Sequence, residues 1–289
     1  MRNFNEENIT DAVLGRVSGS PDPRTRAISG ALVRHLHAFI REIEPTQEEW
    51  EWAIDFLTAT GRMCSATRQE FILLSDVLGV SMLVDALNHR VPEGATETTV
   101  LGPFYVNDPP ELPNGSAVFA AVAGETPLLV EGTVRDTDGR PVAEASVDVW
   151  LADEEGYYDV QLSADRYTGR GRFRTDSEGN FSLQATVPSP YPIPDDGPVG
   201  DMLKAQGRHP YRPAHVHFRI AALGCKTLVT HLFLEGDPYL DSDVVFGVKD
   251  SLVERLIDLP AAAEASRLRD GSPQLALRRN FVLAKDTSA

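Results

Sequence analysis

The chain has 289 residues, 42% of them hydrophobic, enough for one large domain or two smaller ones with a sizeable core. Its 27 Lys and Arg residues are outnumbered by 43 Asp and Glu residues, which gives a formal net charge of -16. This negative charge repels phosphate backbones and anionic headgroups, so nucleic acid and membrane partners are not expected.

The N-terminal third of the chain shows helical periodicity. Residues 1–15 are acidic where a signal peptide would be apolar, so we expect a cytoplasmic protein. Apolar residues recur at helical intervals over 27–43 and 48–60, and the second of these helices begins with a capping box formed by Thr46 and Glu49. The stretch 68–90 predicts one further, mostly buried helix, in which Asp76 is unusual. We therefore predict a helical region over residues 1–95.

The next segment, residues 96–128, is rich in Pro, Gly and Thr and has little periodicity. A segment this long without regular structure is usually a linker or a functional loop. It contains "LGPFYV", residues 101–106, which could line a site.

From residue 129 onwards, alternating strands are separated by turns such as "TDGRP" and "SEGN". Period-two alternation with such turns is typical of antiparallel hairpins. The sequence therefore predicts a mainly β protein, in which an antiparallel β-sandwich catalytic domain of seven or eight strands (129–289) follows the helical region.

Two histidines, His215 and His217, lie two residues apart in the predicted strand "AHVHFRIAA". On a strand such residues point to the same face, about 7 Å apart, which suits two imidazoles that bind one ion. Taken alone, a solvated polar face is an equally good interpretation. Tyrosines in "EEGYYDVQ" and "PSPYPIPDDGP" add candidate phenolate donors. Imidazole together with phenolate suits ferric iron better than zinc.

Four motifs, "GYYDVQ", "VPSPYPIP", "GRHPYRPAHVHF" and "LVTHLFLEGDPYLDSD", resemble those of the intradiol ring-cleaving dioxygenases, in the same order. The resemblance extends over essentially the whole chain. It implies one non-haem Fe(III) per subunit, with ligands at Tyr158, Tyr191, His215 and His217, whereas Tyr157 is a neighbour. It further implies that Tyr191 is the base that takes a substrate proton, and that Arg212 stabilises negative charge on the substrate.

Within that family the motifs look closest to the branch that cleaves hydroxyquinol, benzene-1,2,4-triol, to 3-hydroxy-cis,cis-muconate. The resemblance places His231 where catechol enzymes typically have Gln, and Asp76 where a carboxylate could accept a hydrogen bond from the third hydroxyl. An ordinary intrahelical contact explains Asp76 equally well. The same match gives the remaining pocket walls as Leu73, Val100, Leu101 and Gly102.

The resemblance also implies a homodimer that is formed through the helical region, with phospholipid held at that interface. Three alternatives remain open from the sequence. The chain could be a catechol or chlorocatechol 1,2-dioxygenase with the same iron chemistry. It could be a metal-free carrier, or a zinc hydrolase that uses His215, His217 and His231.

Overall fold

The computed structural model describes residues 2–65, 68–119, 126–162, 167–259 and 275–286. The chain divides into two compact units, Met1–Ala59 and Thr60–Ala289. The division predicted from the sequence, 1–95, 96–128 and 129–289, stays a prediction. Residues 120–125 of the predicted linker and 260–274 of the predicted sandwich lie outside the described residues.

The first unit is helical: α1 spans Ile9–Val17, α2 spans Pro23–Ile43, and α3 spans Gln47–Met63 and continues into the second unit. The predicted capping box at the start of α3 is confirmed. The Glu49 amide donates to Thr46 Oγ1 at 3.2 Å, and the Thr46 amide donates to Glu49 Oε2 at 2.8 Å. No helix among the described residues is long and apolar enough to cross a membrane.

The single helix predicted over 68–90 is wrong, because the structure has two helices there, α4 (Glu70–Val77) and α5 (Val80–Asn88). Gly79 separates them with φ +71°, a left-handed conformation that only glycine adopts without strain. The apolar periodicity continues through the break, so the pattern alone could not reveal it.

The second unit contains eleven strands and one further α-helix among the described residues. The strands are β1 (Pro127–Asp136), β2 (Ser146–Leu151), β3 (Arg170–Arg174), β4 (Asn180–Thr186), β5 (Tyr191–Pro192), β6 (Tyr211–Arg212), β7 (His215–Ala221), β8 (Leu228–Leu234), β9 (Val253–Glu254), β10 (Ile257–Asp258) and β11 (Leu275–Leu283). Helix α6 spans Pro198–Ala205 and lies between β5 and β6 in the chain.

These strands form two sheets, ordered β10-β11-β1-β4 and β3-β2-β7-β8-β9, and β5 pairs separately with β6. Pairing is antiparallel except for β1 with β11 and β8 with β9. The apolar faces of both sheets share one core, in which the Phe218 ring of one sheet lies 4.9 Å from Phe281 and 6.3 Å from Phe181 of the other. The predicted helical region followed by a β-sandwich is confirmed.

Strand β7 links this core to the functional site. Val216 and Phe218 point into the core with no exposed surface, so the pleat turns His215 and His217 to the opposite face. Trp150 of β2 and His231 of β8 are the direct cross-strand neighbours of His217. The apolar alternation of β7 thus fixes the direction of both imidazoles.

Candidate metal centre

The two imidazoles of β7 converge on one point. His215 Nε2 lies 3.1 Å from His217 Nε2, and both rings are buried. Trp150 stacks on His217 with ring centroids 4.6 Å apart and planes 16° from parallel. Cross-strand packing therefore holds the His217 ring in a single orientation.

The hydrogen bonding of His215 defines its tautomer. Its Nδ1 lies 2.6 Å from the Pro213 carbonyl oxygen, which can only accept, so Nδ1 carries the proton and Nε2 presents a lone pair. Burial, together with the charge of Arg212, lowers the pKa of His215 to about 3. Burial, and then the neighbouring His231 and His215, also hold the pKa of His217 well below its ordinary value. Both rings are thus neutral donors at physiological pH.

Two phenols complete the cluster. Tyr158 Oη lies 2.9 Å from His217 Nε2 and 3.4 Å from Tyr191 Oη, and both tyrosines are buried. Tyr157, in contrast, has 49% of its surface exposed. Burial, and then the neighbouring Tyr191, raise the pKa of Tyr158 well above its ordinary value, so this phenol needs a nearby cation to ionise at neutral pH.

Two contacts fix the position of Tyr158. Phe104 stacks on its ring with centroids 4.4 Å apart. Arg170 in turn donates a hydrogen bond to the Phe104 carbonyl oxygen at 2.9 Å and pairs with buried Asp159. Gly156, with φ +87°, brings the turn before Tyr158 against Tyr191: a Cβ atom there would lie 2.8 Å from Tyr191 Cβ. The two tyrosine-bearing segments therefore touch directly.

The spacing of the four donors fits a single ion. Two donors about 2 Å from a common metal are separated by about 2.8 Å at a ligand-metal-ligand angle of 90° and by about 3.5 Å at 120°. The separations between successive donors, 3.1 Å from His215 to His217, 2.9 Å from His217 to Tyr158 and 3.4 Å from Tyr158 to Tyr191, fall within those limits. His217 Nδ1 has no hydrogen-bond partner among the described residues. Two hard phenol oxygens with two imidazoles form a donor set that suits ferric iron.

A buried guanidinium lies beside this cluster. Arg212 Nη1 is 3.2 Å from His215 Nε2, and its Nε and Nη2 atoms pair with Asp243 Oδ1 and Oδ2 at 3.1 and 3.3 Å. Burial opposes the charge of Arg212, but Asp243 together with Tyr191 and Tyr158 outweighs that effect and raises the pKa of the guanidinium. A fixed positive charge thus faces the centre.

His231, Val100 and Gly102 lie beside the two imidazoles of β7. The His231 ring centroid lies 4.2 Å from that of His217 and 4.9 Å from that of His215, within a group of three buried histidines whose donor atoms are all within 4.8 Å of one another. Burial, and then His215, hold the pKa of His231 well below its ordinary value, although a hydrogen bond with the Val100 backbone acts in the opposite direction. A Cβ on Gly102, where φ is +76°, would lie 3.4 Å from His217 Cε1.

The other predicted pocket residues are more dispersed. Asp76 is buried, and burial raises its pKa against a hydrogen bond from Ser81 and the charge of Arg212. Leu73 packs on the apolar cluster around Val77, and Leu101 keeps 39% of its surface exposed. The contacts of these two leucines do not by themselves place them at the site.

Several residues of the site do not follow from the sequence: Asp243, Trp150, Phe104 and Gly156. Asp243 is one of four acidic residues in "EGDPYLDSD", and nothing in its spacing distinguishes it from the others. Phe104 lies in "LGPFYV", the segment expected to line a site, but only its fold shows which aromatic ring meets Tyr158.

The known proteins to which this chain is similar are dioxygenases. A family model described as "Dioxygenase" matches residues 100–284, and one described as "Catechol dioxygenase N terminus" matches residues 22–96. A hydroxyquinol 1,2-dioxygenase of Rhizobium sp. (strain MTP-10005) is 51% identical over 269 residues, covering 92% of this chain and 90% of that protein. A 6-chlorohydroxyquinol 1,2-dioxygenase of Cupriavidus pinatubonensis is 53% identical over 254 residues, covering 88% and 92%.

A solved structure is also similar to this chain over nearly its whole length. The crystal structure of hydroxyquinol 1,2-dioxygenase from Pseudomonas putida DLL-E4 superposes with a TM-score of 0.92 at 48% sequence identity. The match covers 97% of this chain and 99% of that one, so it includes both the helices and the sandwich.

Proposed function

The chain belongs to the intradiol ring-cleavage dioxygenase family, and from this premise we propose that it cleaves hydroxyquinol, benzene-1,2,4-triol, with O2. The ring opens between the two carbons that carry adjacent hydroxyl groups, and the product is 3-hydroxy-cis,cis-muconate, the enol form of maleylacetate. The observation that carries the proposal is the convergence of two buried phenols and two buried imidazoles beside one buried guanidinium. The names of the similar proteins support the choice of substrate.

The cofactor that fits these donors is one Fe(III) per subunit, with the ligands Tyr158, Tyr191, His215 and His217. When bound, ferric iron supplies a Lewis acid that polarises coordinated oxygen atoms. The protein holds the imidazoles neutral, so they need not lose protons to bind metal. The phenols must ionise, so binding of the metal releases protons from tyrosine.

Two side chains act on the bound diol. Tyr191 Oη accepts the proton of one substrate hydroxyl, because a phenolate is basic enough to take it at neutral pH. Arg212 stabilises the negative charge that develops on substrate oxygens, because its guanidinium is buried where water cannot screen it. Stacked Phe104 and Trp150 keep Tyr158 and His217 in place.

The third hydroxyl defines the substrate within the family. We assign Asp76 as its hydrogen-bond acceptor, since this carboxyl is buried close enough to Arg212 for their charges to interact. His231, Val100 and Gly102 form the wall beside His217. Leu73 and Leu101 complete the proposed pocket.

The first unit supplies the proposed partner surface. Large apolar side chains on α2 stay exposed, among them Leu32 at 63% and Phe39 at 53%. An apolar stripe of this kind needs a cover in water. We propose a homodimer through the helices, with phospholipid at that interface. A cytoplasmic location also stays a prediction.

The test is a substrate panel with purified, iron-replete protein. Hydroxyquinol, 6-chlorohydroxyquinol, catechol and 3-chlorocatechol are compared by kcat/KM, and products are identified by mass. We expect the two triols to be preferred over both catechols by at least about tenfold, because a buried acceptor rejects a substrate that lacks the matching hydroxyl.

A preference for catechol or chlorocatechol would overturn the substrate assignment and leave the ring-cleavage chemistry intact. Binding of hydroxyquinol by a colourless, metal-free protein would instead indicate a carrier. A colourless protein that holds stoichiometric zinc would indicate a hydrolase built on the three histidines.

A further inference from the structure

We propose that Asp243 is the positioning residue for Arg212, because its carboxylate orients the guanidinium with Nη1 towards the centre of the site. The inference rests on the proposed function, in which Arg212 acts on the substrate. It gives a defined role to one of the acidic residues between β8 and the end of the sandwich.

One edge of the Arg212 guanidinium is held by Asp243. Nε and Nη2 donate to the two oxygens of Asp243 at 3.1 and 3.3 Å, a bidentate pairing that permits one orientation of the planar group. The remaining nitrogen, Nη1, lies 3.2 Å from His215 Nε2. The orientation imposed by Asp243 therefore decides which donor faces the proposed substrate position.

Asp243 is itself fixed by the loop that follows it. Its Oδ2 accepts the Gly247 amide at 2.8 Å, and its Oδ1 accepts the Val245 amide at 3.3 Å. Only 2% of its side chain is exposed. The four donors leave the carboxylate no freedom to rotate, so the loop geometry is transmitted to the guanidinium.

The loop is shaped to admit this ion pair. A Cβ atom on Gly247 would lie 2.9 Å from Arg212 Nη2 and 3.1 Å from Asp243 Oδ2, so no side chain fits there. Phe246 adopts φ +59°, a strained value for a residue with a side chain. Arg208 holds the carbonyl of Val244, the next residue after Asp243, at 3.0 Å. The strain is consistent with a loop that is built around the ion pair.

Asp243 could instead serve only to neutralise a buried charge. Removal of one partner of a buried ion pair destabilises a protein whatever that pair does for catalysis. The two roles differ in what the loss of Asp243 changes. A positioning residue lowers kcat through the orientation of the Arg212 guanidinium, whereas a residue that only neutralises the charge lowers the free energy of unfolding and leaves both the orientation and the kcat of the folded enzyme unchanged.

The experiment is a double-mutant cycle with Asp243→Asn and Arg212→Gln. Asn keeps the shape and one acceptor oxygen but breaks the bidentate pairing. We expect Asp243→Asn to lower kcat by about 10- to 100-fold in the native background and by less than about threefold in the Arg212→Gln background. Asp241→Asn, an exposed change two residues away, is the matched control and leaves kcat unchanged.

No loss of kcat in the native background, or the same loss in both backgrounds, would overturn the inference. If Asp243→Asn fails to fold, Gly247→Ala replaces it in the same cycle, because its Cβ displaces Nη2 without changing a charge. The same expectations apply to that variant.

The cycle is run with hydroxyquinol and with catechol. A wrong substrate assignment would change the wild-type ratio of kcat/KM for these two substrates, but not the coupling between the substitutions at Asp243 and Arg212. Crystal structures of wild type and Asp243→Asn provide a readout that needs no turnover. We expect Nη1 of Arg212 to face His215 in the wild type and to turn away in the variant. An unchanged guanidinium would contradict the positioning role even if no substrate were turned over.

Discussion

At Gly156 the turn that leads into Tyr158 meets the backbone of Tyr191, and this contact allows a quantitative prediction. Gly156→Ala would place a methyl group 2.8 Å from Tyr191 Cβ and 3.5 Å from its Cα, at a residue with φ +87°. Carbon atoms do not approach to 2.8 Å without repulsion, so one of the two tyrosine-bearing segments must move.

The magnitude follows from two effects. A left-handed conformation costs alanine about 1–2 kcal/mol, and forcing an extra carbon into a packed site costs about 1–3 kcal/mol. We therefore expect Gly156→Ala to lower the free energy of unfolding by about 2–5 kcal/mol. Gly139→Ala is the matched control, since Gly139 has φ +79° and its added methyl group would meet no atom within 4 Å, so it should lose only the backbone part.

Urea unfolding of both variants, with and without iron, measures this difference. Because the added methyl displaces Tyr191, we also expect Gly156→Ala to shift the visible absorption band and lower kcat, whereas Gly139→Ala changes neither. Equal destabilisation by the two substitutions, with an unchanged band in Gly156→Ala, would refute the close approach of the two tyrosine segments.

Three further predictions concern the pocket and the iron-free protein. Asp76→Asn should lower kcat/KM for hydroxyquinol by about tenfold or more and that for catechol by less than about threefold; equal losses in steady-state assays would remove Asp76 from recognition. His231→Gln should narrow the hydroxyquinol-to-catechol ratio in the same assay, and an unchanged ratio would exclude His231 from specificity. The pKa of His215 is lowered to about 3, so below pH 6.5 this residue binds a proton in the unfolded chain but not in the folded one. The free energy of unfolding of the iron-free protein should therefore fall by about 1.4 kcal/mol, from this residue, for each unit by which the pH is lowered. Urea midpoints that stay level from pH 7 to 5 would contradict this.

The sequence predicts a structural feature correctly when the residues that determine the feature lie in one helix or one strand. The capping box of Thr46 and Glu49 forms as predicted, because both partners lie within one helical turn. The period of two in β7 places Val216 and Phe218 in the core, and so turns His215 and His217 to the opposite face. Such features depend on neighbours that are close in sequence.

Other features depend on partners far away in the chain. The parallel pairing of β1 with β11 joins Leu128 to Leu275, and no periodicity encodes so distant a register. The ion pair of Arg212 with Asp243 spans 31 residues, and the acidic neighbours of Asp243 are equivalent to it in the sequence pattern.

The break at Gly79 is hidden because the apolar pattern continues through it.

The visible absorption spectrum of the purified protein, recorded with its iron content, tests the central claim most directly. Phenolate bound to Fe(III) gives a charge-transfer band that colours the protein, so we expect a coloured wild type with one iron per chain. Tyr158→Phe should lose or strongly shift the band because its phenol faces His217, whereas exposed Tyr157→Phe should keep it. A colourless wild type that holds one metal ion per chain, or a band that depends on Tyr157 and not on Tyr158, would contradict the proposed centre.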